Sequence, residues 1–140
     1  MSLNGPILVI EDDADDQFLI KNVIEELEIL NNLLFFGNGL EVLLYLETTQ
    51  EKPFVIICDI NMPVMNGLEL RSRIDQNDFL RKKSIPFIFF STADNPQTLE
   101  KAYASTIQGF FKKESNFEEL KRRFRIIYDY WSFCLHPNNF

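Results

Sequence analysis

Ile7-Leu8-Val9-Ile10-Glu11-Asp12-Asp13 places four apolar residues in a row directly before three acids. A short run that is apolar at every position, rather than at every second one, belongs to a strand covered on both faces, the condition of a parallel sheet flanked by crossover helices. Short apolar runs bounded by turn signals recur at Leu33–Phe36 and at residues 54–58, 87–90 and about 108–112, and those of the third and fourth strands are again apolar at every position. Helical periodicity lies between them, clearest at Phe18, Leu19, Asn22, Val23, Glu26 and Leu27, where apolar residues recur at three- and four-residue steps. Five strands alternating with helices predict an α/β fold, (βα)5, around a parallel sheet.

Turn and cap signals mark the helix boundaries. Ser115-Asn116-Phe117-Glu118 has the capping-box pattern, so the last helix is expected to begin near Ser115. Its apolar positions Phe117, Leu120, Phe124, Ile127 and Trp131 then form one stripe. Asn95-Pro96 reads as an N-cap followed by proline at the first helical position, the start of the fourth helix. Gly37-Asn38-Gly39 marks a turn after the second strand. With no repeat or linker, residues 1–140 read as one domain, with a core at about 6–131 and a tail at 132–140.

Composition narrows the function classes. Of 140 residues, 46% are hydrophobic and 25% charged, ordinary globular usage. No apolar run approaches the roughly 20 residues of a membrane-spanning helix, and Met1-Ser2-Leu3-Asn4-Gly5 has no secretion-signal character. A soluble protein of the cytoplasm is expected, with no membrane partner. A formal charge of −7 argues against nucleic-acid binding. The basic group Lys121, Arg122, Arg123 and Arg125 reads as the solvated face of a helix. Cys58 and Cys134 form neither a disulfide framework nor a metal spacing.

Ligands of open parallel α/β sheets bind beyond the carboxyl ends of the strands. Strand 1 ends in Glu11-Asp12-Asp13, strand 3 in Asp59, strand 4 in Ser91-Thr92 and strand 5 in Lys112-Lys113. Under the flavodoxin-like strand order 2-1-3-4-5, strands 1 and 3 are neighbours and their carboxylates converge. Such acids repel unless a cation sits among them. Mg²⁺ suits the task, since it takes about six oxygen ligands, including one or two carboxylates and a phosphate. Asp12 and Asp59 are read as direct ligands, Glu11 as a ligand through water, and Lys113 as fixed positive charge facing Asp59 and an incoming phosphoryl oxygen. Asp59, at the end of an apolar strand, is the candidate nucleophile for an aspartyl phosphate.

At these residues the chain resembles the response-regulator receiver family. The resemblance is carried by residues 7–13, by Asp59-Ile60-Asn61-Met62-Pro63-Val64-Met65-Asn66-Gly67 (D-x-x-M-P-x-x-x-G), by Ser91-Thr92-Ala93 and by Gly109-Phe110-Phe111-Lys112-Lys113. It spans about residues 6–131. It implies that Asp59 accepts a phosphoryl group from a sensor histidine kinase or phosphotransfer protein, and that Asp12, Asp59 and the backbone carbonyl of Asn61 ligate Mg²⁺. Lys113 would contact the phosphoryl group. The switch hydroxyl falls on Ser91 when counted from Pro86, or on Thr92 when the Thr-Ala pair is matched. Phe110 takes the place of the switch aromatic, and the fourth helix, fifth strand and fifth helix form the signalling face, a possible homodimer surface. Such a protein catalyses only its own phosphorylation and slow dephosphorylation.

One position departs from the family pattern. Glu114 replaces the usual proline after the lysine, and because a cis bond before a non-proline residue costs about 2.5–4 kcal/mol, a trans peptide is expected. Glu114 would either weaken phosphate binding or cap the next helix. Asp13, Asp15 and Asp16 read as helix caps, Lys112 as exposed, Met62 and Met65 as loop packing residues, and His136 as without a role. Tyr128, Tyr130, Trp131 and Phe133 exceed what one helix face can bury, which suggests an interface. Two other functions fit the acids. An Asp-nucleophile phosphohydrolase would need a second acid where Asn61 stands, and a receiver-like interaction module would take no phosphate.

Overall fold

The computed structural model describes residues 3–135; Met1, Ser2 and the tail beyond Leu135, with His136, lie outside the described residues. Five strands, β1 (Ile7–Ile10), β2 (Leu33–Phe36), β3 (Val55–Cys58), β4 (Phe87–Ser91) and β5 (Gly109–Lys112), form a parallel sheet in the order β2-β1-β3-β4-β5. Six helices are interleaved: α1 (Ala14–Glu26), α2 (Gly39–Thr48), α3 (Gly67–Gln76), α4 (Asp78–Arg81), α5 (Pro96–Ala104) and α6 (Phe117–Phe133). All five strands foreseen from sequence are present, with β3 and β5 each beginning one residue later than the run read for them and β4 reaching one residue further, to Ser91. In β1, β3 and β4 every residue is buried, whereas β2 and β5, at the sheet edges, are half-exposed.

The pleat divides each strand between two cores. Ile7, Val9, Val55, Ile57, Ile88 and Phe90 face one side, covered by Ile20, Val23 and Ile24 of α1 and Leu120, Phe124 and Ile127 of α6. Leu8, Ile10, Ile56, Cys58, Phe87 and Phe89 face the other, covered by α2, α3, α4 and Ala102 of α5. This is the three-layer, flavodoxin-like sandwich expected, with strands 1 and 3 side by side.

Three expectations need correction. The buried stripe of α1 runs through Ile20, Val23 and Ile24 to Leu27, while Phe18 is 66% exposed. Periodicity alone gave the helix but set its phase wrongly, because Phe18 is apolar without being covered. The last helix is capped by Asn116, whose side chain accepts from Glu119 N, so the cap falls one residue later than Ser115 and the acid at the third helical position is Glu119. An additional short helix, α4, stands between α3 and β4, capped by Asn77 through a hydrogen bond from Leu80 N. The helix at Pro96 is therefore the fifth, with Asn95 capping it as expected, and the signalling face foreseen from sequence becomes α5–β5–α6.

The basic group on α6 is less solvated than its composition suggests. Lys121 pairs with Glu26 of α1 at 3.0 Å and Arg123 with Glu119 at 2.8 Å, so part of it ties helices together.

Phe124 sits at the centre of the α1/α6 core, its ring 5.3 Å from that of Phe90. Phe124→Ala is expected to cost about 3–5 kcal/mol of unfolding free energy in a urea titration, the range for a buried aromatic truncated to alanine.

Candidate functional site

Parallel pairing brings the carboxyl ends of β1 and β3 together, and Asp59 N donates to Ile10 O at 3.0 Å. Glu11 is thereby set beside Asp59, both buried at 3% and 9% exposure, while Asp12 faces solvent. Local hydrogen bonds fix Glu11: its Oε1 accepts from Asp13 N at 3.0 Å, and its carbonyl accepts from Gln17 Nε2 at 2.6 Å. Asp13 caps α1, accepting from Asp16 N at 2.9 Å, as its reading as a helix cap required.

Lys113 follows β5, which is separated from β1 by β3 and β4, about 14 Å of strand spacing. Its long stem and the loop after β5 close that gap. Lys113 Nζ donates to Glu11 Oε2 at 2.5 Å, to Asp16 Oδ2 at 2.8 Å and to Asp59 Oδ2 at 3.2 Å. Burial by itself would push this ammonium down, but the hydrogen bonds to Asp16 and Glu11 and the charges of Asp59 and Glu11 outweigh it and hold it well above the usual lysine range. Burial raises the Glu11 carboxyl, with the neighbouring Asp59 charge adding to the effect and Lys113 opposing it. Lys113 therefore stays protonated.

Asp16 is the residue that sequence reading missed. Read as a helix cap, it instead turns its carboxylate to Lys113. The only hint in the sequence is its place in the first turn of the helix that begins at the site. The pairing itself depends on where the loop after β5 comes to rest.

Glu11, Asp12 and Asp59 each offer one carboxylate oxygen, and these lie within 4.8 Å of one another. An all-oxygen donor set of three acids, with one lysine beside it, suits a hard divalent cation. The acids outnumber the lysine, and a second positive charge would relieve the repulsion that remains. Cys58 stays out of this chemistry: it is fully buried, and burial, followed by the charges of Asp59 and Glu11, pushes its thiol well up.

Ser91, at the end of β4, is completely buried; its Oγ accepts from Ala93 N at 3.1 Å, and its carbonyl accepts from Lys113 N at 3.0 Å. Thr92 is exposed. Phe110 is half-buried, its ring 6.0 Å from that of Phe89. Glu114 follows Lys113 through a trans peptide, as expected, but it does not cap the next helix: Asn116 is the cap, and Arg123 of α6 lies 3.6 Å from the Glu114 carboxylate. Lys112 is exposed, 3.4 Å from Asp94.

The loop after Asp59 is tightly built. Asn61 N donates to Asp59 Oδ1 at 3.3 Å and Gly67 N to Ile60 O at 2.9 Å. A Cβ at Gly67 would lie 2.5 Å from the Asp59 carbonyl oxygen, so only glycine allows α3 to start this close to the acid. Met65 is buried and Met62 packs against the same core, as expected of loop packing residues. Val64 holds φ at 68°, a left-handed conformation that a β-branched residue rarely adopts, and is 74% exposed.

A family profile described as response regulator receiver domain matches residues 7–125, and the chain belongs to that family. Among its curated relatives, the response regulator Rcp1 of Synechocystis is 26% identical over 130 residues, covering 89% of this chain and 87% of the relative. The probable methanogenesis regulatory protein FilR2 of Methanothrix harundinacea is 28% identical over 129 residues, covering 89% and 82%. In fold the chain is similar to the phosphorylated cyanobacterial phytochrome response regulator RcpA, with a TM-score of 0.84 at 22% identity over 95% of this chain and 97% of that one. It is also similar to the Mn²⁺-bound form of Rcp1, with a TM-score of 0.79 at 24% identity over 94% and 97%. No helix among the described residues is long and apolar enough to cross a membrane.

Asn occupies left-handed conformations at low cost, and Val64 has little packing to lose. Val64→Asn is expected to raise the unfolding free energy by about 1 kcal/mol, read from the urea midpoint at unchanged m-value.

Proposed function

We propose that this receiver takes a phosphoryl group on Asp59 with Mg²⁺ as cofactor. The observation that carries the reading is the convergence of Glu11, Asp16 and Asp59 on Lys113, with Asp12 completing an oxygen cluster beside it. A Mg²⁺ ion would be held by Asp12, Asp59 and the backbone carbonyl of Asn61, with Glu11 reaching it through water. Bound there, it would neutralise the charge of the transferring phosphoryl oxygens.

The chain's own residues supply the remainder. An Asp59 carboxylate oxygen forms the new O–P bond while the P–N bond of a donor phosphohistidine breaks, its electron pair staying on the imidazole nitrogen. Lys113, protonated throughout, donates to a phosphoryl oxygen. Asn61 stands where a phosphohydrolase would carry its second acid, so hydrolysis is slow and the chain acts as a signalling phosphoacceptor rather than an enzyme with turnover. Ser91, buried at the end of β4, is the better candidate for the switch hydroxyl than exposed Thr92. Phe110 would be the aromatic that responds with it.

The donor is a sensor histidine kinase or a phosphotransfer protein. The output surface is α5–β5–α6, which exposes Tyr103 at 59%, Ile126 at 49% and Tyr130 at 61%, apolar area that a target protein or a second copy would cover.

Incubation with acetyl phosphate and Mg²⁺, followed by intact-mass spectrometry, is expected to give one phosphoryl adduct per chain, absent in Asp59→Asn. An unmodified wild-type protein would sink the proposal, and continuous release of phosphate would favour a hydrolase. Mg²⁺ at a hundred times its dissociation constant is expected to stabilise the fold by about 2.7 kcal/mol in thermal unfolding, an increment lost in Asp12→Ala.

A further inference from the structure

A lysine ammonium carries three N–H donors. In this structure three carboxylates surround it: it donates to Glu11 Oε2 at 2.5 Å and Asp59 Oδ2 at 3.2 Å, and forms an ion pair with Asp16 Oδ2 at 2.8 Å. Two of these acceptors have second tasks. Glu11 and Asp59 belong to the oxygen cluster suited to a cation, whereas Asp16 stands outside it. If Asp59 is the phosphoacceptor, as proposed above, its carboxylate becomes the uncharged acyl end of an acyl phosphate, with the negative charge moved out to the phosphoryl oxygens, and stops being a strong acceptor for Lys113. Glu11 is at the same time drawn toward the metal. Asp16 is the one acceptor whose hold on Lys113 neither event disturbs.

We infer that Asp16 is a positioning residue: it anchors Lys113 from the first turn of α1, so that the ammonium keeps one donor aimed at Asp59 and passes it to a phosphoryl oxygen when that group arrives. The anchor is itself anchored, because Asp13 accepts from the backbone N–H of Asp16 at 2.9 Å and fixes the start of α1. The contact joins α1 to the loop that leads from β5 into α6, the helix packed beside α1 on the same face of the sheet. With a side chain that is 37% exposed, Asp16 remains open to solvent, so its replacement leaves the core untouched. Lys113 keeps its proton throughout; only the acceptor of one hydrogen bond changes.

The test uses ¹⁵N-lysine-labelled protein, with the Lys113 ammonium resonance assigned by its loss in Lys113→Met. Spectra are taken without metal and in the presence of Mg²⁺ and beryllofluoride, a phosphoryl stand-in. The wild-type chain is expected to show a slowly exchanging Lys113 signal in both states. In Asp16→Ala the signal should broaden beyond detection with beryllofluoride, and the labelling rate at saturating acetyl phosphate should fall about tenfold, the worth of one charge-assisted hydrogen bond. Asp16→Asn, which keeps an acceptor oxygen at the same place, should restore part of both. A protected Lys113 signal in Asp16→Ala, or labelling at the wild-type rate, overturns the inference. If the wild-type chain takes no phosphoryl group at all, the phosphoacceptor reading fails instead, and the metal-free Lys113 resonance still decides whether Asp16 holds Lys113: it shifts in Asp16→Ala if Asp16 is a partner and stays in place if it is not.

Discussion

One buried ammonium set against several carboxylates is the interaction on which the rest of this structure depends. Glu11 and Asp59 are almost wholly withdrawn from water, at 3% and 9% exposure, and two acids so placed would repel each other without a counter-charge. Lys113 supplies it, and does so from the far side of two strands. The balance is deliberately incomplete, since Asp12 and Asp16 leave the group with more negative than positive charge. A fold that tolerates this excess in its resting state has a place ready for a second cation and then for an anion.

The sheet makes that placement possible. Because β1, β3 and β4 are covered on both faces, their registers are held by two cores at once, and their carboxyl ends can carry polar groups without loosening. Glu11 and Asp12 follow β1, Asp59 follows β3 and Ser91 closes β4, each at such an end. Backbone hydrogen bonds from Asp59 N to Ile10 O and from Lys113 N to Ser91 O tie the end of β3 to that of β1 and the end of β5 to that of β4. Next to these ends the loop from Asp59 to Gly67 is under local constraint: Gly67 touches the Asp59 carbonyl, and Val64 is held left-handed. Strain of this kind persists only where the surroundings over-determine the backbone, and here they do so beside the acid with the proposed chemistry.

Much of this was legible in the residue order. Uninterrupted apolar runs gave the five strands, because a strand buried on both faces leaves no position for a polar residue. Asn38, read only as part of a turn, proves to cap α2, whereas the cap at Asn95 was legible because it acts within one turn of chain. So was the acid pair at the end of β1, since the periodicity of the preceding strand says where the chain emerges. The flavodoxin-like strand order, taken as the premise for an open parallel sheet, gave the meeting of the acids at the ends of β1 and β3.

What the sequence by itself determined is therefore what depends on neighbours along the chain: element type, strand ends, some caps, and the chemical kind of residue delivered to each end. Tertiary structure alone decided what depends on neighbours across it. Phe18 and Ile20 are both apolar, and only the position of α6 says which is covered. Ser91 and Thr92 are adjacent hydroxyls, and only the covering of β4 buries one and exposes the other. Asp16 looks like any acid in a first helical turn until the loop after β5 brings Lys113 to it. Hydrogen bonds and ion pairs of that kind are set by the packing of whole layers, which no local pattern encodes.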